Sequence, residues 1–178
     1  MLKRIIPLLL VENQELIKTT QFKNPVYIGD LLNSVKIYNE LQVDELCILD
    51  KSAKSNGINY EMISEFVDES FSPISYGGGI RNLEQIEKIL RLGVEKVILN
   101  SSLMNFDFVK KAITTFGSTT ISACIDYRII SGKRYFFSEN GKKQNKIEAD
   151  EMVKKVSNLG VGEIILQSEI SIKPTETV

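Results

Sequence analysis

Apolar residues along the chain fall into short blocks of two kinds that take turns. The first kind is a continuous run of strand length without polar alternation, as a strand covered on both faces requires. Six such runs occur: Arg4 to Val11, Leu46 to Asp50, Pro73 to Tyr76, Val94 to Leu99, Thr120 to Ile125 and Glu163 to Gln167. The second kind recurs at helical spacing. Asp30 caps Leu31, Leu32, Val35, Ile37, Tyr38 and Leu41; Tyr60 to Val67 follows; then come Leu83 to Leu92, Phe108 to Phe116 and Ala149 to Leu159, stopped by Gly93, Gly117 and Gly160. Six strands alternating with five helices predict an α/β fold whose parallel sheet is joined by right-handed crossovers, either a (β/α)₈ barrel or a doubly wound open sheet.

Three stretches stand outside this rhythm. Glu12 to Gly29 is polar and too long for a plain connection, so it reads as a functional loop or lid. Gly132 to Lys143, with Tyr135-Phe136-Phe137 and an Asn140-Gly141 turn, reads as a small hairpin. The tail 169–178 has no pattern and is assigned no structure. An internal echo favours the barrel: Asp44 to Asp50 returns as Gly162 to Ser168, and Ile6 to Leu10 as Ser122 to Asp126, as in two fused half-barrels. A complete barrel takes roughly 250 residues. The 178-residue chain is therefore expected to form an incomplete (β/α)₈ TIM barrel over 1–168, strands one to six in sequential order, open between strands six and one.

Ser75-Tyr76-Gly77-Gly78-Gly79-Ile80-Arg81-Asn82 joins a strand to a helix through three glycines. Backbone amides without a Cβ in the way can close around an anion, with the helix adding its positive end, so a phosphate fits the motif. A glycine turn without a ligand is the alternative.

Charge and composition narrow the chemistry. A net charge of −1 without a basic run gives no reason to expect nucleic acid. The longest apolar run, Ile5 to Val11, is too short to span a bilayer and no signal peptide is recognisable, so the expectation is a cytoplasmic protein with no membrane contact. Cys47 and Cys124 each lie inside an apolar run and read as small packed hydrophobes rather than a disulfide. Histidine is absent. Chemistry must then rest on carboxylates, lysines, hydroxyls and backbone, and no metal or cofactor is expected.

Several blocks together resemble one family. Met1 to Pro7, Val43-Asp44-Glu45-Leu46, Tyr76 to Ile80, Gly93 to Val97, Phe116-Gly117-Ser118 and Gly160 to Ile164 stand in the order seen in the cyclase subunit of imidazole-glycerol-phosphate synthase, the HisF family. The resemblance covers 1 to about 168. It implies a (β/α)₈ barrel that receives ammonia from a HisH-like glutaminase docked under the barrel and uses it at the opposite face. It also implies roles for matched residues. Arg4, Glu45, Lys96 and Glu163 resemble a charged ring that gates ammonia entry; their alternative is ordinary rim charge. Asp126, Asp50 and Lys18 match active-site positions, although an Asp at a strand end often only caps the next helix. Gly79, Asn100 and Ser101 resemble one of two substrate phosphate sites.

One position departs from the pattern. The family's cyclase works with aspartates at the ends of strands one and five, an acid and a base on opposing sides of a closing ring. Asp126 is present, but its partner position is Leu10. A branch with leucine there, and with text like Pro7-Leu8-Leu9-Leu10-Val11 and Leu16-Ile17-Lys18-Thr19, resembles the subunit that helps convert an N-acetyl group on a nucleotide-activated sugar to an acetamidino group for surface polysaccharide. The resemblance thus implies sugar amidation first, on a phosphorylated or nucleotide-sugar substrate, with imidazole-glycerol-phosphate synthesis in histidine biosynthesis as the second reading. A third reading is of another kind. With strands seven and eight absent, the chain is an inactive fragment that needs a second chain to complete the barrel, or pairs with itself through its open edges.

Overall fold

The computed structural model describes residues 3–20 and 23–168. In chain order its strands are β1 (Leu8–Glu12), β2 (Glu15–Thr20), β3 (Lys23–Asp30), β4 (Leu46–Asp50), β5 (Ile74–Gly77), β6 (Lys96–Leu99), β7 (Ile121–Ile130), β8 (Lys133–Ser138), β9 (Lys143–Glu148) and β10 (Glu163–Ser168). The helices are α1 (Leu31–Glu40), α2 (Ala53–Asn56), α3 (Tyr60–Glu69), α4 (Leu83–Arg91), α5 (Phe106–Phe116) and α6 (Ala149–Leu159). The runs β1, β4, β5, β6, β7 and β10 lie side by side in sequence order, and every neighbouring pair is parallel. No direction reverses within that series, which is the barrel arrangement rather than the doubly wound one.

Pleating sends alternate residues of each run to opposite faces. Leu46, Ile48, Val97, Leu99, Ala123 and Ile125 enter the large core shared with the helices, where they meet Ile63, Phe66, Ile86 and Val109. Cys47, Ile98 and Cys124 point the other way and form a separate small cluster with Ile6, Leu49 and Ile165 inside the curl of the sheet. Both faces are therefore covered, which is why the strands read as unbroken apolar runs. The curl brings the two ends of the parallel series together: Arg4, just before β1, reaches Glu163 at the start of β10 at 2.5 Å. No hydrogen-bonded pairing of β10 with β1 occurs among the described residues.

The repeat seen in the sequence is also a repeat of register. Leu8 pairs with Cys47 and Leu10 with Leu49 in the first half. At the echoed positions of the second half, Cys124 pairs with Ile165 and Asp126 with Gln167. Leu10 and Asp126 thus hold equivalent places in the two halves.

Several expectations need correction. Strand β1 starts at Leu8 rather than Arg4; Pro7 has no amide to give, and only its carbonyl joins the ladder, accepting from Cys47 N. Glu12 to Gly29 is no loop. Asn13 and Gln14, at φ 53° and 69°, turn the chain so that β2 pairs antiparallel with β1, and β3 then pairs with β2. Two successive residues with positive φ make the tight hairpin turn whose twist suits paired strands. Gln14, an unusual residue in that conformation, hid the signal.

The hairpin expected over Gly132 to Lys143 extends to Glu148 and grows directly from β7, which runs on through Asp126 to Ile130 instead of stopping at Ile125. The four-residue α2 was not foreseen. The tail 169–178 lies outside the described residues.

Candidate active site

Period-two alternation stacks the inner residues in three layers. Glu45, Cys47 and Leu49 follow one another along one wall, Lys96, Ile98 and Asn100 along a second, and Glu163, Ile165 and Gln167 along a third. Charges lie at the strand starts and apolar groups in the middle, and at the strand ends a cavity of about 440 Å³ opens among Leu49, Ile98, Asn100, Cys124, Asp126 and Gln167.

At the lower end the four expected charges meet. Lys96 Nζ lies 2.7 Å from Glu45 Oε2 and 3.0 Å from Glu163 Oε1. Arg4 contacts the same two oxygens, at 3.3 and 2.5 Å. The four side chains close into a cycle of alternating sign. Burial pulls the Lys96 ammonium toward a lower pKa, but its bonds to Glu45 and Glu163 outweigh this and leave it raised. Burial likewise pushes the Glu163 carboxyl up, and Arg4 and Lys96 bring it below its ordinary value. Glu45 is the deepest member, with a side chain only 4% exposed. An uncompensated charge there is costly.

At the upper end stands Asp126, buried, its pKa pushed up to about 7 because burial disfavours its charge, against hydrogen bonds from Cys124 and Asn100 that lower it. Asn100 Nδ2 donates to Asp126 Oδ2 at 3.3 Å and to the Cys124 carbonyl at 3.0 Å. The Cys124 thiol donates to Oδ1 at 3.5 Å. A carboxyl poised near neutrality beside an open cavity is suited to give and take a proton. Leu10 lines the same cavity and puts an isobutyl group at the place equivalent to Asp126.

The other expected catalytic residues behave differently. Asp50 also borders the cavity, yet its Oδ1 accepts from Ser52 N at 2.8 Å, Ser52 Oγ at 2.6 Å and Ala53 N at 3.1 Å, while Tyr76 OH donates to Oδ2 at 3.3 Å. These bonds tie down the turn into α2. Asp50→Ala is expected to lower stability by about 2 kcal/mol, read by urea unfolding; unchanged stability with lost activity would instead make Asp50 a working carboxylate. Lys18 is exposed on β2 and does not line the cavity; its neighbour Thr19 does.

Gly79, Asn100 and Ser101 do converge on the cavity. Part of the glycine requirement is steric: a Cβ on Gly78 would come within 2.4 Å of the Asp50 carbonyl, and one on Gly79 within 2.6 Å of the Ala53 carbonyl. The start of α4 is engaged too, since Asn82 and Gln85 cap one another's amides and Gln85 takes the Arg81 amide. Beside these lie residues that sequence reasoning passed over: Lys54, Arg81, Glu139 and Gln167. Gln167 could have been found by counting in twos from Glu163. The other three come from turns whose position only the fold decides.

The profile of the histidine biosynthesis protein family matches residues 4–171. The chain belongs to that family. Among its relatives, the Pseudomonas aeruginosa protein named "putative imidazole glycerol phosphate synthase subunit hisF2" is 44% identical over 170 residues, covering 93% of this chain and 68% of the relative. A Leptospira interrogans protein named "putative imidazole glycerol phosphate synthase subunit HisF" is 41% identical over 170 residues, 93% and 67% of the two chains. A hisF2 protein of Campylobacter jejuni is 40% identical over 167 residues, 93% and 66%. This member of the histidine biosynthesis protein family thus spans about two thirds of each relative's length. Among its described residues no cluster of three or more Cys, Asp or Glu could hold a metal ion, and no helix is long and apolar enough to cross a membrane.

Proposed function

We propose that the chain is the ammonia-accepting synthase subunit of a glutamine-dependent amidotransferase. The observation that carries this reading is the succession of a closed charge cycle, an apolar middle layer and a carboxyl-bearing cavity along the inner face of the sheet. Ammonia is small and neutral, so it can cross a layer of Cys47, Ile98, Cys124 and Ile165 that excludes ions. A glutaminase would sit at the strand starts. On that side, in the segments leading into β1, β4 and β5, Ile5, Leu41 and Phe71 are 74%, 65% and 87% exposed, apolar groups of the kind a partner covers.

The finer reading is amidation of an N-acetylated nucleotide sugar. Ammonia adds to the acetamido carbon, the C–O bond breaks, and the oxygen leaves as water, giving an acetamidino group. Asp126, carrying a proton near neutrality, supplies one proton to that oxygen. One such carboxyl is enough, and Leu10 leaves the position equivalent to Asp126 without a second. Imidazole-glycerol-phosphate synthesis is the alternative reading, supported by the names of the relatives.

The test supplies the chain with its glutaminase and a fragment covering the rest of a relative's length, then offers ammonium with each substrate class. Acetamidino sugar is the expected product, with no growth of a histidine-requiring strain that lacks its cyclase. Robust rescue of histidine growth with Leu10 unaltered would put imidazole-glycerol-phosphate synthesis first.

A further inference from the structure

The turn between β8 and β9 folds over the mouth of the cavity and is fastened from both sides. Lys54 Nζ lies 2.6 Å from Glu139 Oε2, and the Glu139 amide donates to Ser101 Oγ at 3.2 Å. Asn140 Nδ2 donates to the Lys51 carbonyl at 3.2 Å, and Arg128 holds the far side of the turn by donating to the Gly141 carbonyl at 2.7 Å. Glu139 and Asn140 both carry positive φ, 60° and 57°, so the turn presents the Glu139 side chain to the mouth at some backbone cost.

Glu139 thus stands among groups that would suit an anionic substrate. Lys54 holds its carboxyl below the ordinary value, with Lys143 and Arg81 adding in the same sense. Arg81 is fixed beside Lys54 by donating to its carbonyl at 3.3 Å. Ser101 and Gly79 open onto the same space. Three cations, a hydroxyl and a glycine turn therefore surround a carboxylate that belongs to the protein itself. A phosphate monoester carries more charge and more acceptor oxygens than a carboxylate, so it competes for the same partners.

We propose that Lys54 is a ligand for the substrate's phosphate group and that Glu139 occupies it in the empty protein, so that entry of the phosphate displaces the Glu139 side chain and removes one of the fastenings of the β8–β9 turn. This rests on the reading of Gly79, Asn100 and Ser101 as a phosphate site and extends it by a residue and a competitor. Glu139 excludes weakly charged ligands from the mouth, because only an anion strong enough to replace it gains Lys54.

The probe is inorganic phosphate, titrated into the full chain and followed by backbone amide shifts in the 101 and 139–141 segments. Glu139→Gln is expected to tighten phosphate binding roughly five-fold, the scale of a half-exposed ion pair. Lys54→Met is expected to weaken it by a similar factor, and the double variant to show no gain over Lys54→Met alone. Ser101→Asp, at an exposed position where the added carboxylate leaves the fold intact, is expected to weaken phosphate binding in every background. Binding that Ser101→Asp weakens but Glu139→Gln leaves unchanged would overturn the displacement while sparing the phosphate site. Phosphate binding in none of the proteins, Glu139→Gln included, would overturn both.

Discussion

At pH 8, Asp126→Asn is expected to be more stable than the parent protein while losing ~10²–10⁴ of its ammonium-driven turnover. Both halves come from one cause. The fold raises the Asp126 carboxyl from 3.8 to about 7 by burying it, so the group's contribution to stability is fully present below pH 3.8 and is lost as pH rises through about 7. Above that the buried carboxylate carries its full penalty, on the order of 4 kcal/mol by linkage. Asparagine keeps the shape without the charge. Thermal unfolding at pH 4 and pH 8 checks the first half: the two proteins should match at the lower pH and separate between about 4 and 7. Steady-state rates with ammonium salts check the second. An asparagine variant less stable at both pH values, or one that retains turnover, would remove Asp126 from the chemistry.

Lys96→Met is expected to cost on the order of 2–4 kcal/mol, because it leaves Glu45 buried with only the more distant Arg4 to neutralise it. Adding Glu45→Gln should recover most of that loss, since both members of the pair are then uncharged. Urea unfolding of the two single variants and the double variant closes the cycle. The gate reading adds a separate expectation for the stabilised double variant. With a glutaminase bound, glutamine-driven product formation should fall while activity with free ammonium is largely kept, because only the entry to the lumen has changed. Equal loss with both nitrogen sources would make the cycle a structural closure of the barrel floor and nothing more.

Much of this architecture can be read from order and spacing alone. The parallel series follows because unbroken apolar runs need cover on both faces and the helical blocks between them supply it on one side. The half-barrel repeat, visible as Ile6 to Leu10 against Ser122 to Asp126, carried the register with it. That is so because pairing in a parallel sheet follows the pleat, and the pleat follows the sequence two residues at a time. The family blocks placed Arg4, Glu45, Lys96 and Glu163 at strand starts, and convergence of those strands brings them together.

Tertiary structure decided what the loops do. The stretch from Glu12 to Gly29 became a hairpin because β1 offered it a free edge, a partner that local composition cannot announce. Asp50 and Asp126 look alike in sequence, each an aspartate after an apolar run. Their surroundings separate only in three dimensions: Asp50 meets the amides of Ser52 and Ala53 within its own turn, whereas the Asp126 carboxyl, at the cavity end of the β7–β10 ladder, meets the side chains of Asn100 and Cys124. Lys54, Ser101 and Glu139 are up to 85 positions apart. No pattern along the chain joins them, since ion pairs across a cavity mouth depend on where three separate turns arrive, and packing of the whole barrel sets that.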